Sequence, residues 1–177
     1  MPEFLNGVEQ GGGGASSGGL TTVADVTVSG GAVTTLSTGA ITLENDKWYN
    51  IYAPVFGAGS VTKISLYVNG DATDSNYDNT YNVWEFGTNS AYSDNDLFGA
   101  YMPIASGQGG YIVGKIMCDG TTVYISTRQH RRFGAAALRS KLEDVTIAKT
   151  SITELQLTAD AASGLANDSR IIITEAY

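Results

Sequence analysis

From Leu20 onward, apolar residues recur at alternate positions in short runs, and Gly, Asn or Asp interrupts the chain at short intervals. Alternation of this kind marks half-buried strands, and breaks about every 8 to 12 residues mark a sandwich or barrel. The predicted strands are Thr22 to Ser29, Ala32 to Leu36, Ala40 to Leu43, Trp48 to Phe56, Val61 to Val68, Tyr81 to Phe86, Leu97 to Ala105, Tyr111 to Cys118, Thr121 to Thr127, Asp144 to Thr158 in two pieces, and Ser169 to Glu175. Within Val61 to Val68, Ile64, Leu66 and Val68 fall on one face and Ser65 and Tyr67 on the other. Asp119-Gly120, between YIVGKIMC and TTVYIST, predicts a hairpin whose type I′ turn places both residues at positive φ. Ala135 to Lys141, in FGAAALRSK, reads as one helical turn or a loop. The expected fold is all-β: a two-sheet antiparallel β-sandwich over residues 20–177, with a jelly roll as the preferred topology.

Composition agrees with β structure. Only 16% of the 177 residues are charged and 22 are Gly, whereas a typical domain has about 25% charged residues. Residues 1–19, MPEFLNGVEQGGGGASSGG, hold too little apolar surface to repay the entropy of ordering their glycines. They are expected to form an extended Gly-rich N-terminal arm, with Phe4, Leu5 and Val8 as an anchor on a neighbouring subunit; a cloning remnant or a tail pinned by its own domain are the alternatives.

Charge and the rare residues exclude several functions. The net charge of −8 argues against general nucleic-acid binding, which needs Lys and Arg to neutralise phosphates. One cysteine, Cys118, rules out an internal disulfide, and with the lone His130 it leaves no Cys/His zinc set. No cofactor is expected. No apolar run reaches the roughly 20 residues of a membrane span, and no secretory signal pattern is visible at the N-terminus. His130 stands in RQHRR with no adjacent nucleophile, and GGGGASSGG lacks the Lys of a phosphate-binding loop.

Charge is also segregated. Residues 1–114 carry 11 acids and 2 bases, whereas residues 115–149 carry 7 bases and 3 acids. Arg128, Arg131, Arg132 and Arg139 are candidate interface residues, because guanidinium forks suit desolvated ion pairs with an acidic face of another copy. Packaged-genome binding and a solvated loop are the competing readings.

Two candidate ligand sites overlap in the acidic stretch. GDATDSNYDN supplies Asp71, Asp74 and Asp78 as weak calcium ligands, although the spacing is not that of an EF-hand. Asp and Asn are also ordinary turn formers and solubilising residues. Tyr77, Tyr81 and Tyr92 beside these acids are candidates for stacking on sugars, while Trp84 is expected in the core.

Two further stretches carry a family resemblance. Ser65, Leu66, Tyr67, Asn69, Gly70, Asp71, Asn76 and Tyr77, and then Ile152, Thr153, Leu155, Leu157, Gly164, Ser169, Arg170 and Ile171, resemble the strand-and-turn motifs of jelly-roll domains in tailed-bacteriophage virion proteins. The resemblance spans about residues 40–177. It implies a non-enzymatic structural protein located on the virion. A capsid decoration (cement) protein, contacting the major capsid protein and its own copies as a homotrimer, is the leading expectation. A glycan- or receptor-binding module of a tail or head fibre is the alternative, and a glycoside hydrolase the remote one.

Overall fold

A computed structural model describes residues 20–61, 63–85, 88–94, 102–104, 106–133 and 137–176, with backbone alone at 74, 81–85, 88–94, 102–103, 131–133 and 137–141. The expected N-terminal anchor, Phe4, Leu5 and Val8, lies outside the described residues.

Twelve antiparallel strands are described: β1 (Thr22–Thr27), β2 (Thr35–Ser37), β3 (Tyr49–Phe56), β4 (Lys63–Val68), β5 (Tyr77–Glu85), β6 (Thr88–Asp94), β7 (Met102–Pro103), β8 (Gly109–Cys118), β9 (Val123–Phe133), β10 (Ala137–Ile147), β11 (Leu155–Ala159) and β12 (Arg170–Glu175). They form an eight-stranded sheet in the order β1-β12-β3-β8-β9-β10-β5-β6 and a four-stranded sheet in the order β2-β11-β4-β7. The molecule is thus all-β and sandwich-like. Consecutive strands switch sheets at each step from β1 to β5 and from β10 to β12, whereas β5–β6 and β8–β9–β10 continue within the large sheet.

One hydrophobic cluster unites the two sheets. Ile51, Ala53 and Val55 of β3, Ile112 and Ile116 of β8, and Ile171 and Ile173 of β12 meet Ile64, Leu66 and Val68 of β4 and Leu155 and Leu157 of β11. All of these are essentially excluded from solvent. β-Branched side chains suit this role because their restricted rotamers pack on a pleated surface with little further entropy loss. Strand β3 alternates buried and less buried positions along its length, so its even-numbered residues form part of the outer face.

The structure corrects three sequence expectations. Residues 137–141 belong to β10 and not to a helical turn: the eleven-residue pairing with β9, from Ala137↔Phe133 to Ile147↔Val123, overrides the local preference of Ala137 and Leu138, while 135 and 136 lie outside the described residues. Thr88–Asp94, which falls between the predicted strands Tyr81 to Phe86 and Leu97 to Ala105, is itself a strand paired with β5. The Asp119-Gly120 turn has positive φ only at Gly120 (φ 89). Its loop comprises the residues between the Cys118↔Val123 pair. The Asp119 carboxylate accepts hydrogen bonds from the Thr121 amide at 2.8 Å, the Thr121 hydroxyl at 2.7 Å and the Thr122 amide at 2.8 Å. These donors hold its pKa down to about 2, led by the Thr121 hydroxyl. The side chain closes the turn and removes the need for positive φ at Asp119.

Candidate docking face

The first sequence motif pairs with the start of the second. Leu66 of β4 pairs with Leu157 of β11. At the end of β4, Asn69 adopts φ 54 and Gly70 φ 67, the left-handed conformations that Asn and Gly tolerate best. The Asn69 side chain then reaches the other motif: Oδ1 accepts from the amides of Thr153 (2.8 Å) and Glu154 (3.2 Å), and Nδ2 donates to the Ser151 carbonyl (2.8 Å). Ser169 is fully buried, and its Oγ accepts from the Phe56 amide at 3.0 Å. Arg170 grips Asp25 across the β1–β12 pair. Residues some eighty positions apart therefore make one junction, and the chemistry they use is structural.

Tyr77 and Asp71 belong to this junction. Tyr77 is 1% exposed; its hydroxyl donates to the Asp71 carbonyl at 2.7 Å and accepts from the Val68 amide at 3.0 Å. The expectation that Tyr77 stacks on sugars is corrected: the ring is core, tilted against Tyr67 with centroids 6.2 Å apart. The Asp71 carboxylate is taken up by Lys149 Nζ at 2.5 Å and by Asn76 Nδ2 at 2.9 Å. Asp74 begins a single 3-10 turn, Asp74–Asn76, and Asp78 stands exposed on β5. The Asp74 side chain lies outside the described residues, and no group of three or more His, Cys, Asp or Glu residues suited to a metal occurs among the described residues. Asp71 binds a lysine because the Lys149 loop packs beside the β4–β5 connection, a juxtaposition that local spacing does not reveal.

Lys149, Asn76 and the Thr73 amide hold the Asp71 pKa down to about 2, the Lys149 hydrogen bond first among them. A carboxylate depressed in the folded state stabilises it above the unfolded value of about 3.9, and that stability is lost as pH falls toward 2. The partly exposed pair contributes on the order of 1 kcal/mol. Unfolding measured between pH 5 and pH 2 is expected to show a steeper loss for the wild type than for Asp71→Asn; parallel curves would contradict this role.

The outer face of the large sheet holds the exposed rings of Tyr52, Phe56 and Tyr111. Cross-strand register sets its rows. One row runs Ile172, Tyr52, Val113, Arg128 and Leu142, and the next contains Pro54, Tyr111 and His130. Phe56 pairs with Gly109 beyond them, its ring lying where a side chain on Gly109 would project. Tyr52 is 45% exposed, Tyr111 40% and Phe56 39%. His130 packs its ring on Tyr111 at 5.0 Å. Burial and then the Arg128 charge lower its pKa, so the neutral imidazole is favoured. The sole histidine is thereby an aromatic neighbour in this face.

Among the arginine candidates, Arg128 is exposed in the first of these rows. Arg131 is the register partner of both Gly110 and Arg139, Arg139 also pairs with Glu85, and Arg132 pairs with Leu138. The fold thus concentrates the four arginines in one region of β9 and β10. Tyr81 and Tyr92 are direct partners on β5 and β6, and Trp84 pairs with Ser140 and Asn89; the side chains of Arg131, Arg132, Arg139, Tyr81, Trp84 and Tyr92 lie outside the described residues.

Sequence reasoning missed two further features. Glu143, counted within the basic block, is fully buried and accepts hydrogen bonds from Asn79 Nδ2 at 3.1 Å and Gln129 Nε2 at 2.8 Å. Its place among the alternating buried positions Glu143, Val145 and Ile147 was the available signal. Trp48 was the second: 40% exposed, it separates two grooves on the outer face. The first, about 350 Å³, is lined by Trp48, Tyr124, Asp78, Thr80, Ser126, Asp144 and Thr146 among others. The second, about 410 Å³, includes Asn50, Lys115 and Arg128. Comparisons with protein-family models, curated proteins and solved structures found no match to this chain.

Proposed function

We propose that this chain is a non-enzymatic virion subunit with a jelly-roll body, a capsid decoration protein that docks on the outer surface of a tailed-phage head. The strand orders support the jelly-roll reading. β1-β12-β3-β8 and β2-β11-β4-β7 have the interleaved connectivity of two Greek keys. On this reading the β5–β6 and β9–β10 hairpins are insertions that widen one sheet.

The observation that carries the docking role is the outer aromatic face. Tyr52, Phe56 and Tyr111 stand 39–45% exposed beside Arg128, and Tyr, Phe and Arg are the residues enriched at protein interfaces. Isolated apolar side chains on a surface need no explanation, but a contiguous set on neighbouring strands marks a binding surface. Residues 1–19 supply the second element. Their glycines permit close backbone approach between subunits, and Phe4, Leu5 and Val8 supply the apolar anchor. Copies of the chain, assembled as a trimer, and the major capsid protein are the proposed partners.

The test compares retention on purified particles. A chain lacking residues 1–19 is expected to keep the thermal midpoint of the full chain, since this Gly-rich segment carries little apolar surface to bury, yet to wash off particles at least about tenfold more readily. Equal retention of the two chains would remove the N-terminal segment from the docking mechanism.

A further inference from the structure

We infer that the paired grooves on either side of Trp48 form a binding site for an oligosaccharide. This inference does not depend on the capsid reading. It concerns the end of the outer face away from Phe56, where the register brings together groups that local sequence keeps apart.

Three elements supply the first groove. Trp48 immediately precedes β3, Tyr124 and Ser126 come from β9, and Thr146, Asp144, Asp78 and Thr80 come from β10 and β5. The pairing orders them in two rows: Tyr124, Thr146 and Asp78 in one, and Asn50, Lys115, Ser126, Asp144 and Thr80 in the next. From β3 to β5 the strands span about 19 Å at the usual spacing, room for several linked sugar units.

The chemistry selects the ligand class. An indole 40% exposed offers a flat apolar face, and the C–H face of a pyranose ring is its natural complement. Two exposed carboxylates, Asp78 and Asp144, and the hydroxyls of Thr80, Ser126 and Thr146 surround it. Carboxylates accept and hydroxyls both donate and accept, as vicinal sugar hydroxyls require. The Tyr124 hydroxyl donates to Asp119 Oδ2 at 3.0 Å, which holds that ring at the groove edge before any ligand arrives. Among the described residues, the lining of the first groove contains two acids and no Lys, Arg or His; the two carboxylates disfavour a phosphate or polynucleotide there. The second groove shares Trp48 and Ser126 and adds Asn50, Lys115 and Arg128 as donors. One indole wall common to two polar grooves suits adjacent units of a single chain, with a neutral unit against Asp78 and Asp144.

The sequence-based sugar candidates were Tyr77, Tyr81 and Tyr92. Tyr77 is buried, and the site proposed here uses Trp48 and Tyr124 in their place.

An array of neutral and acidic oligosaccharides of two to six units, probed with the full chain, tests the proposal; the strongest binders are then titrated by intrinsic tryptophan fluorescence and saturation-transfer NMR. At least one array member is expected to bind, with affinity reduced roughly tenfold by Trp48→Ala and to a lesser degree by Asp144→Asn. Both positions are exposed, so the thermal midpoint of each variant is expected to match the wild type. If Trp48→Ala does not fold, Trp48→Phe and Asp144→Asn decide the question. Absence of any binding up to millimolar concentrations would overturn the site, as would affinities unchanged in the folded variants. Loss of sugar binding with particle retention intact would separate this site from the docking surface.

Discussion

Replacing Gly114 with alanine is expected to destabilise the protein by on the order of 3 kcal/mol or more, the largest single-residue effect anticipated. Gly114 lies within β8, opposite Ile51 on one side and Thr127 on the other. A Cβ built there would sit 2.2 Å from the Ser126 carbonyl oxygen and 2.9 Å from the Thr127 Cα. Both are backbone atoms of the neighbouring strand, so no rotamer change relieves the clash. The β8–β9 pairing would have to open in the middle of the eight-stranded sheet. Chemical denaturation of Gly114→Ala, read by tryptophan fluorescence, should show a midpoint far below that of the wild type. Gly107→Ala is a useful contrast: its φ of 73 is strained for alanine, but nothing lies within 4 Å of the added carbon. A Gly114→Ala midpoint equal to that of Gly107→Ala would contradict the close-approach argument.

Asn69→Ala should be nearly as damaging, with an expected loss of about 3 to 4 kcal/mol. The substitution removes an acceptor for the Thr153 and Glu154 amides and a donor to the Ser151 carbonyl, each worth about 1 kcal/mol. It also places alanine at φ 54, adding about 1 kcal/mol of backbone strain. Asn69→Gly relieves the strain and keeps the hydrogen-bond deficit, so its loss should fall between those of the wild type and the alanine variant. If glycine restored full stability, the turn conformation alone would account for the residue, and the cross-motif hydrogen bonds would contribute nothing measurable. Far-UV and near-UV spectra of the folded variants should match the wild type, because the junction adds stability without altering strand register.

The strands were most legible where alternation is strict. Ile64, Leu66 and Val68 announce an inward face, and they are fully buried. Legibility failed where pairing partners, and not local pattern, decide the outcome. Ala137 to Lys141 look helical in isolation, and β9 draws them into the sheet. Thr88–Asp94 has only Ala91 and Tyr92 as apolar residues, with no alternation, and becomes a strand because β5 offers it an edge. The same reasoning explains the sites. Asp71 resembles a metal ligand in sequence, and only the fold shows Lys149 beside it. Tyr77 resembles a surface aromatic among acids, yet it sits one residue after a 3-10 turn, from which its hydroxyl ties down the Val68 amide. The arginines, by contrast, were recognised as a cluster because they are close in sequence as well as in space. The exposed aromatic face could not be read locally, since Tyr52 and Phe56 come from β3 and Tyr111 from β8.

These elements fit a subunit whose chemistry is contact. The core is consumed by holding two sheets together, the motif residues lock one junction, and the described groups left at the surface include aromatic rings, Arg128 and the groove beside Trp48. The central claim, that the chain rides on a viral capsid as a decoration protein, is tested most directly by counting its copies on purified particles of the virus that encodes it. The account predicts a fixed, high stoichiometry relative to the major capsid protein, with density on the outer head surface. Absence from the particle, or a few copies confined to the tail, would contradict it.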